Sequence, residues 1–349
     1  VTQLTKLIAH NLYINTWIFK IDEEFNGRGH ASINVENIKT IIELRKKKVE
    51  MTESIVRKLE EVMKKVLPKK VKIAMPSLYR TFDDYMAAFC KSGGVIEAAP
   101  LCQANQVSSP SVSFFIEPHG TIQIVGSYDK FASSQFVNAG CFFPQTSLPA
   151  MNLYTLCESV SSQLYQKGIM GHVTIDLVSF PNPTDPKAHP LFWAVDINCS
   201  MNDYAAICWF FDILMEGNLE QETGEYNIEI MKESDDNHMQ HASDDILPDN
   251  PLFNMAAAVK AGGNTNILLE PRSFMYCSFL HHPGLSTIQY KTFFHMCRLE
   301  SISFDMEKRN GSTFCLFDSL QSGVIGMLTI GIHRKVAVNY MIDALSFIQ

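Results

Sequence analysis

Leu191-Phe192-Trp193-Ala194-Val195-Asp196-Ile197-Asn198 is a strand-like run that carries polar groups where polar groups are expensive. At the period-2 spacing of a strand, Phe192, Ala194, Asp196 and Asn198 share one face; Trp193, Val195, Ile197 and Cys199 share the other, which reads as buried. Upstream, His172-Val173-Thr174-Ile175-Asp176-Leu177-Val178 alternates the same way, with Thr174 and Asp176 on the polar face. The polar, Pro-rich stretch from Ser179 to Pro190 suits a long hairpin loop between the two runs. Cross-strand neighbours lie roughly 5 Å apart at Cβ, so pairing brings Asp176 to Asp196 and Asn198. Two carboxylates and an amide oxygen on one sheet face make a site for a hard divalent cation such as Mg2+. A solvated strand face would also carry isolated acids, so the neighbouring segments decide between the two readings.

The chain has 349 residues, 46% hydrophobic and 19% charged, which is enough for two or three lobes that each bury a core. The longest apolar run, Tyr204 to Met215, is too short to span a membrane and is interrupted by Asp212, so no membrane partner is expected. Val1 rather than Met opens the chain and no signal peptide follows, which reads as part of a longer protein. Nine cysteines without C-x-x-C or zinc-type spacing fit reduced thiols, hence a cytoplasmic protein, or else a nuclear one. The net charge of -8 is uneven: residues 216–250 hold eleven acids and one lysine, leaving about +2 for the rest. That acidic segment reads as a flexible surface insert, and deleting residues 220–244 is expected to leave folding intact.

Trp17-Ile18-Phe19-Lys20-Ile21 is a β-like run that ends in a lysine and leads into Asn26-Gly27-Arg28-Gly29. A glycine-containing hairpin there can place an ammonium and backbone N–H groups around phosphate oxygens, although an ordinary tight turn has the same composition. Asn34 to Lys72 reads as basic and helical, with Ile38, Ile41, Ile42, Val49, Ile55, Leu59, Val62 and Met63 as its apolar stripe. Such a helix can dock calmodulin, a nucleic acid or an acidic protein, but interleaved glutamates favour a solvated face. Val95-Ile96-Glu97 reads as a strand leaving the first lobe. Val112 to Glu117 and Thr121 to Gly126 read as two strands, Asn152 to Lys167 as an amphipathic helix, and Tyr204 to Met215 as an apolar one. Toward the C-terminus, Gly323 to Gly331 reads as a strand and Arg334 to Ile348 as a helix, while Asp305, Arg309, Asn310, Gly311, Thr313 and Asp318 are polar groups suited to turns or to lining a cleft.

These stretches occur in the order of the ATP-grasp superfamily, which the chain resembles through Phe19-Lys20-Ile21 before the 26–29 loop, Val95-Ile96-Glu97, Gly171 to Asp176, and Val195 to Asn198. Ser109-Pro110-Ser111-Val112, Gly120, Tyr128-Asp129-Lys130, Gly140 to Pro144 and Gly168 are similar to the subgroup of peptide ligases that includes the pheganomycin-type enzymes. The resemblance implies an α/β fold of two α+β lobes, with mixed and antiparallel sheets flanked by helices, plus a C-terminal α/β segment. The implied division is 1–100, 101–215, the acidic insert 216–250, and 251–349. ATP and Mg2+ are the implied cofactors. Lys20 would contact phosphates; Gly27, Arg28 and Gly29 would form the loop covering them; Glu97 would lie at the adenine and ribose hinge; Asp176, Asp196 and Asn198 would hold the metal. In active members a carboxylate becomes an acyl phosphate that an amine attacks.

Two positions depart from that pattern. Asp196 replaces the usual glutamate with a side chain one methylene shorter, and Ser200 stands where an arginine would clamp an anionic intermediate. Only Arg28, or Arg309 from the C-terminal half, offers a substitute charge. The reading is therefore a nucleotide-binding, ligase-like domain of a larger regulatory protein, a pseudoenzyme candidate with weak or lost activity. Its alternatives are an active carboxylate-amine ligase, or a protein, calmodulin or RNA interaction module using the basic helix or the acidic insert. Ile288-Gln289 is followed by Phe293 where a calmodulin-binding IQ element needs a basic residue, so no complete element of that kind lies in the chain.

Overall fold

The computed structural model describes residues 1–349 except 23, 25, 48–50, 135, 186, 232–266, 316–322 and 349. In the first lobe, α1 (Thr2–His10) precedes β1 (Thr16–Ile21), and a turn over residues 26–29 returns the chain as β2 (His30–Asn34). Next come α2 (Lys39–Lys47), α3 (Glu53–Lys70), the short β3 (Lys72–Ile73), α4 (Phe82–Ser92) and β4 (Gly94–Ala98), giving a four-stranded sheet in the order β3-β2-β1-β4. Alternation fixes the faces: Trp17, Phe19 and Ile21 are buried in one core with Leu59, Met63 and Leu67 of α3, leaving Ile18 and Lys20 on the opposite face. The basic region is thus two helices, with Lys48, Val49 and Glu50 outside the described residues. Arg57 pairs with Glu53 at 2.7 Å and Lys64 with Glu61 at 2.8 Å, so local acids dilute its positive field.

The second lobe runs β5 (Ser109–Ile116), β6 (Ile122–Ser134), β7 (Val137–Phe143), α5 (Ala150–Gln166), β8 (Gly171–Phe180), β9 (Leu191–Asn198) and α6 (Asp203–Met215). It continues through β10 (Asn218–Leu219), β11 (Tyr226–Met231), β12 (Ile267–His281), α7 (Tyr290–Leu299), β13 (Phe304–Asp305), β14 (Asn310–Cys315), β15 (Val324–Gly331) and α8 (Arg334–Ile348). These strands form one eleven-stranded sheet along the path β13-β14-β15-β12-β7-β6-β5-β8-β9, with β11 also on β12 and β10 on β11. The strands of the C-terminal α/β segment, β12 to β15, lie in the same sheet as those of the second lobe. α6 covers one face, burying Tyr204, Ile207, Cys208 and Phe211 with Tyr128, Cys141 and Tyr276. On the other face, α5 buries Leu153 and Cys157 with Val112, Phe114, Val173 and Ile175.

Two local expectations are corrected. The apolar side of β9 is not buried: Trp193 is 39% and Ile197 45% exposed, because β9 is an outer strand of the sheet. Nor does β9 alternate throughout. Asp176 pairs with Asp196 but Leu177 with Ala194, so Val195 is an extra, bulged residue. The bulge reverses the phase, sending Phe192 into the α5 core while Asp196 and Asn198 keep the face of Asp176 and Thr174.

The acidic segment is not flexible over its first part. β11 pairs with β12 from Tyr226↔Arg272 to Met231↔Ile267, and Tyr226 and Ile228 are buried between exposed Glu225 and Glu229. A period-2 strand lies within the acidic composition of residues 216–250, and deleting residues 220–244 would remove the core side chains of Tyr226 and Ile228. Residues 232–250 lie outside the described residues. Farther on, Asp305 serves a turn, its Oδ1 accepting from the N–H groups of Glu307 at 3.0 Å and Lys308 at 2.9 Å. Asp318 lies outside the described residues.

Candidate functional site

In the first lobe, register sets Lys20 opposite His30 across β1 and β2, and Ile18 opposite Glu97 across β1 and β4. Lys20, His30 and Glu97 therefore share the sheet face that looks away from the helices. The Lys20 ammonium lies 2.6 Å from Glu97 Oε2 and donates at 3.0 Å to the Val195 carbonyl of the second lobe. That carbonyl belongs to the bulged residue of β9, so an irregularity in one sheet is fixed by a charge from the other.

The opposing face of the second lobe supplies Lys130 from β6, Asp176 from β8 and Asp196 and Asn198 from β9. Lys130 Nζ sits 2.7 Å from Asp176 Oδ1, which also accepts from Ser111 Oγ at 2.8 Å. Asp196 lies opposite Asp176 as expected, and Asn198 opposite Thr174. The Asp196 carboxylate accepts from Ile197 N at 2.9 Å and from Asn198 Nδ2 at 3.2 Å. Asp196 and Asn198 keep the oxygen chemistry of Mg2+ ligands, but Asp176 already has an ammonium on it. Among the described residues no group of three His, Cys, Asp or Glu side chains could hold a metal ion.

His30 joins the two lysines. Its pKa is lowered to about 4, first by burial and then by the positive charges of Lys20 and Lys130, with the Phe136 backbone pulling the other way. Its Nδ1 is buried without a partner in hydrogen-bond geometry, and its ring stands edge-on to Phe136 at 5.8 Å. A histidine held neutral in the fold contributes stability above its unfolded pKa near 6.5 and loses it as pH falls toward 4. We expect about 3 kcal/mol of acid destabilisation from this group. Urea unfolding of His30→Gln across that range should show a flatter pH profile than the wild type; parallel profiles would place His30 outside the cluster.

The glycine loop is docked on the second lobe. Asn26 and Gly27 adopt φ of 54° and 77°, the Asn26 carbonyl accepts from Asn138 N at 2.9 Å, and a Cβ on Gly27 would fall 1.7 Å from the Phe136 carbonyl oxygen. Only glycine fits there, by conformation and by space. Arg28, 47% exposed, faces Glu24 at 3.4 Å. Arg309 donates to the Met215 carbonyl at 2.7 Å and lies 3.6 Å from Glu216, at the C-terminal end of α6. Ser200 is exposed beyond β9.

Of the residues singled out in the sequence, Lys20 and Glu97 are in contact, and Asp176, Asp196 and Asn198 share one face. His30 and the pairing role of Lys130 escaped sequence reasoning; a histidine directly after a glycine loop was the available signal. A separate apolar cavity of about 410 Å³ borders the other face of β4, lined by Trp17, Ile96, Ala98, Phe180 and Trp193 among others.

Two α+β lobes facing each other across lysines, a glycine loop and a carboxylate hairpin define an ATP-grasp fold. The sequence profile of the IQCH-like ATP-grasp family matches residues 1–222, and the chain belongs to that family. It is 26% identical over 357 residues to IQ motif-containing protein H of Danio rerio, covering 99% of this chain and 30% of that relative. Among solved structures it is similar to the biotin carboxylase domain of the Hydrogenobacter thermophilus 2-oxoglutarate carboxylase, which contains MgADP, ADP and bicarbonate. The TM-score is 0.50 at 8% identity, covering 99% of this chain and 59% of that one. N5-carboxyaminoimidazole synthetase from Staphylococcus aureus, complexed with ADP, is similar at a TM-score of 0.45 and 11% identity, covering 100% of this chain and 65% of that one. No helix among the described residues is long and apolar enough to cross a membrane.

Proposed function

We propose that the cleft between the lobes binds ATP with Mg2+, and that the domain serves a larger regulatory protein in which carboxylate-amine ligase activity is weak or lost. The observation that carries this reading is the convergence of Lys20, His30 and Lys130, from three strands of two lobes, beside the carboxylates of Asp176 and Asp196. Two ammoniums beside a neutral imidazole in a partly dehydrated cleft are suited to polyphosphate oxygens. In this reading Lys20 exchanges Glu97 and the Val195 carbonyl for phosphate, Gly27, Arg28 and Gly29 cover it, and Glu97 turns to the ribose and adenine. Asp196 and Asn198 hold the Mg2+ that the nucleotide carries; when bound, that ion offsets the phosphate charge.

Calorimetric titration with ATP and Mg2+ tests the reading. Lys20→Ala should weaken binding by about 1.5–3 kcal/mol, roughly 10- to 100-fold, because one charge-assisted contact is lost. Unchanged affinity would remove Lys20 from the site. All nine cysteines are unpaired, which supports a reducing, cytoplasmic location. Calmodulin is proposed as a partner only of the longer protein, since Ile288-Gln289 does not complete an IQ element here.

A further inference from the structure

We propose that the Lys130 ammonium takes the place of a divalent cation at Asp176, making Lys130 a phosphate-binding residue of the cleft and Asp176 its anchor. The inference rests on the nucleotide reading and assigns a residue and a charge source that the reading leaves open.

The local geometry is built for this contact. Lys130 lies opposite Ser109 on β5, and Asp176 lies opposite Ser111 on the same strand, so two small side chains let the lysine cross β5 diagonally to the carboxylate. Its side chain is only 8% exposed, and its Nζ stands 5.6 Å from the centre of the Tyr204 ring. A buried ammonium needs a counter-charge, and Asp176 supplies one at 2.7 Å. Ser111 Oγ donates to the same carboxylate oxygen, Oδ1, and so fixes the orientation of the carboxylate. A divalent ion on that oxygen would stand within a few ångströms of the ammonium, and like charges at that distance exclude each other. The charges of Lys130 and Lys20 both act on His30, which lies opposite Lys20 across β1 and β2, so both ammoniums stand near the place the nucleotide reading gives to the phosphates. A covalently attached ammonium neutralises phosphate with no coordination geometry and cannot be removed by a chelator.

Two measurements on the full chain decide it. The first follows Mn2+ alone by electron paramagnetic resonance. Wild type should take up no Mn2+ that depends on Asp176, Lys130→Gln should gain a bound ion, and adding Asp176→Asn to that variant should abolish it. Mn2+ bound by wild type and lost in Asp176→Asn would overturn the proposal.

The second titrates ADP in EDTA and in Mg2+. Wild type should bind in EDTA within about threefold of its Mg2+ value, and Lys130→Gln should lose about tenfold in EDTA, the equivalent of one charge-assisted hydrogen bond. Equal affinity of the two chains in EDTA, or a wild type that binds ADP only with Mg2+, would refute the phosphate role. Absence of ADP binding in both conditions overturns the nucleotide reading and with it the phosphate role, while the Mn2+ measurement still decides the cation replacement. The Mn2+ comparison of wild type with Asp176→Asn and the wild-type ADP titrations do not use Lys130→Gln, so a Lys130→Gln chain that fails to fold leaves the outcome decidable.

Discussion

Supplied with ATP, Mg2+ and pooled amino acids and peptides, the domain is expected to release ADP at a rate that none of the added carboxylates or amines increases. Acceleration requires interactions that are stronger in the transition state than in the ground state, and the acyl phosphate of a ligase needs a positive clamp. Ser200, exposed at the end of β9, cannot supply one. Of the two arginines that offer a substitute charge, Arg309 is held by the Met215 carbonyl at 2.7 Å, and Arg28, on the phosphate-covering loop, faces Glu24 at 3.4 Å. Loss of one preorganised charge costs about 10²- to 10³-fold in rate, or about 3–4 kcal/mol, enough to bring an ordinary ligase to background. Substrate-dependent ADP release that disappears in Asp196→Asn would restore an enzyme.

Replacing Tyr226 by alanine is expected to destabilise the fold by about 3–5 kcal/mol, the range for emptying a large aromatic site. The ring is 3% exposed and packs on Phe211 at 4.8 Å and Phe143 at 6.4 Å. Its hydroxyl donates to Asp212 Oδ1 at 2.6 Å and accepts from Gly217 N at 2.8 Å, so truncation also strands two polar groups. Tyr226→Phe keeps the ring and should lose only about 1–2 kcal/mol. Denaturant midpoints of both variants measure the difference, and a loss under about 1 kcal/mol for the alanine variant would mean that β11 is not part of the core.

Elements whose patterning is local could be read from the sequence. The hairpin of β8 and β9, the lysine strand with its glycine turn, and α8 follow from alternation, turn residues and apolar stripes within short windows. What escaped depends on partners distant in sequence. Tyr226 sits among acids, and only pairing with β12 shows that its strand is inside. Lys130 finds its role through Asp176, and His30 through a lysine from each lobe. The bulge at Val195 leaves no compositional trace, since valine suits a regular strand equally well. Its carbonyl accepts from the Lys20 ammonium across the cleft, a partner 175 residues away in sequence.

That bulge also bears on how the open margin of the larger sheet would meet another strand. β9 ends the larger sheet with Leu191, Trp193 and Ile197 each at least 39% exposed, a combination that invites another chain to add a strand. An incoming strand needs an unbroken ladder of carbonyl acceptors and N–H donors, and at Val195 the ladder is interrupted and its carbonyl is already taken. One of the contacts between the lobes thus occupies an acceptor on the sheet margin, and whatever draws Lys20 away uncovers it.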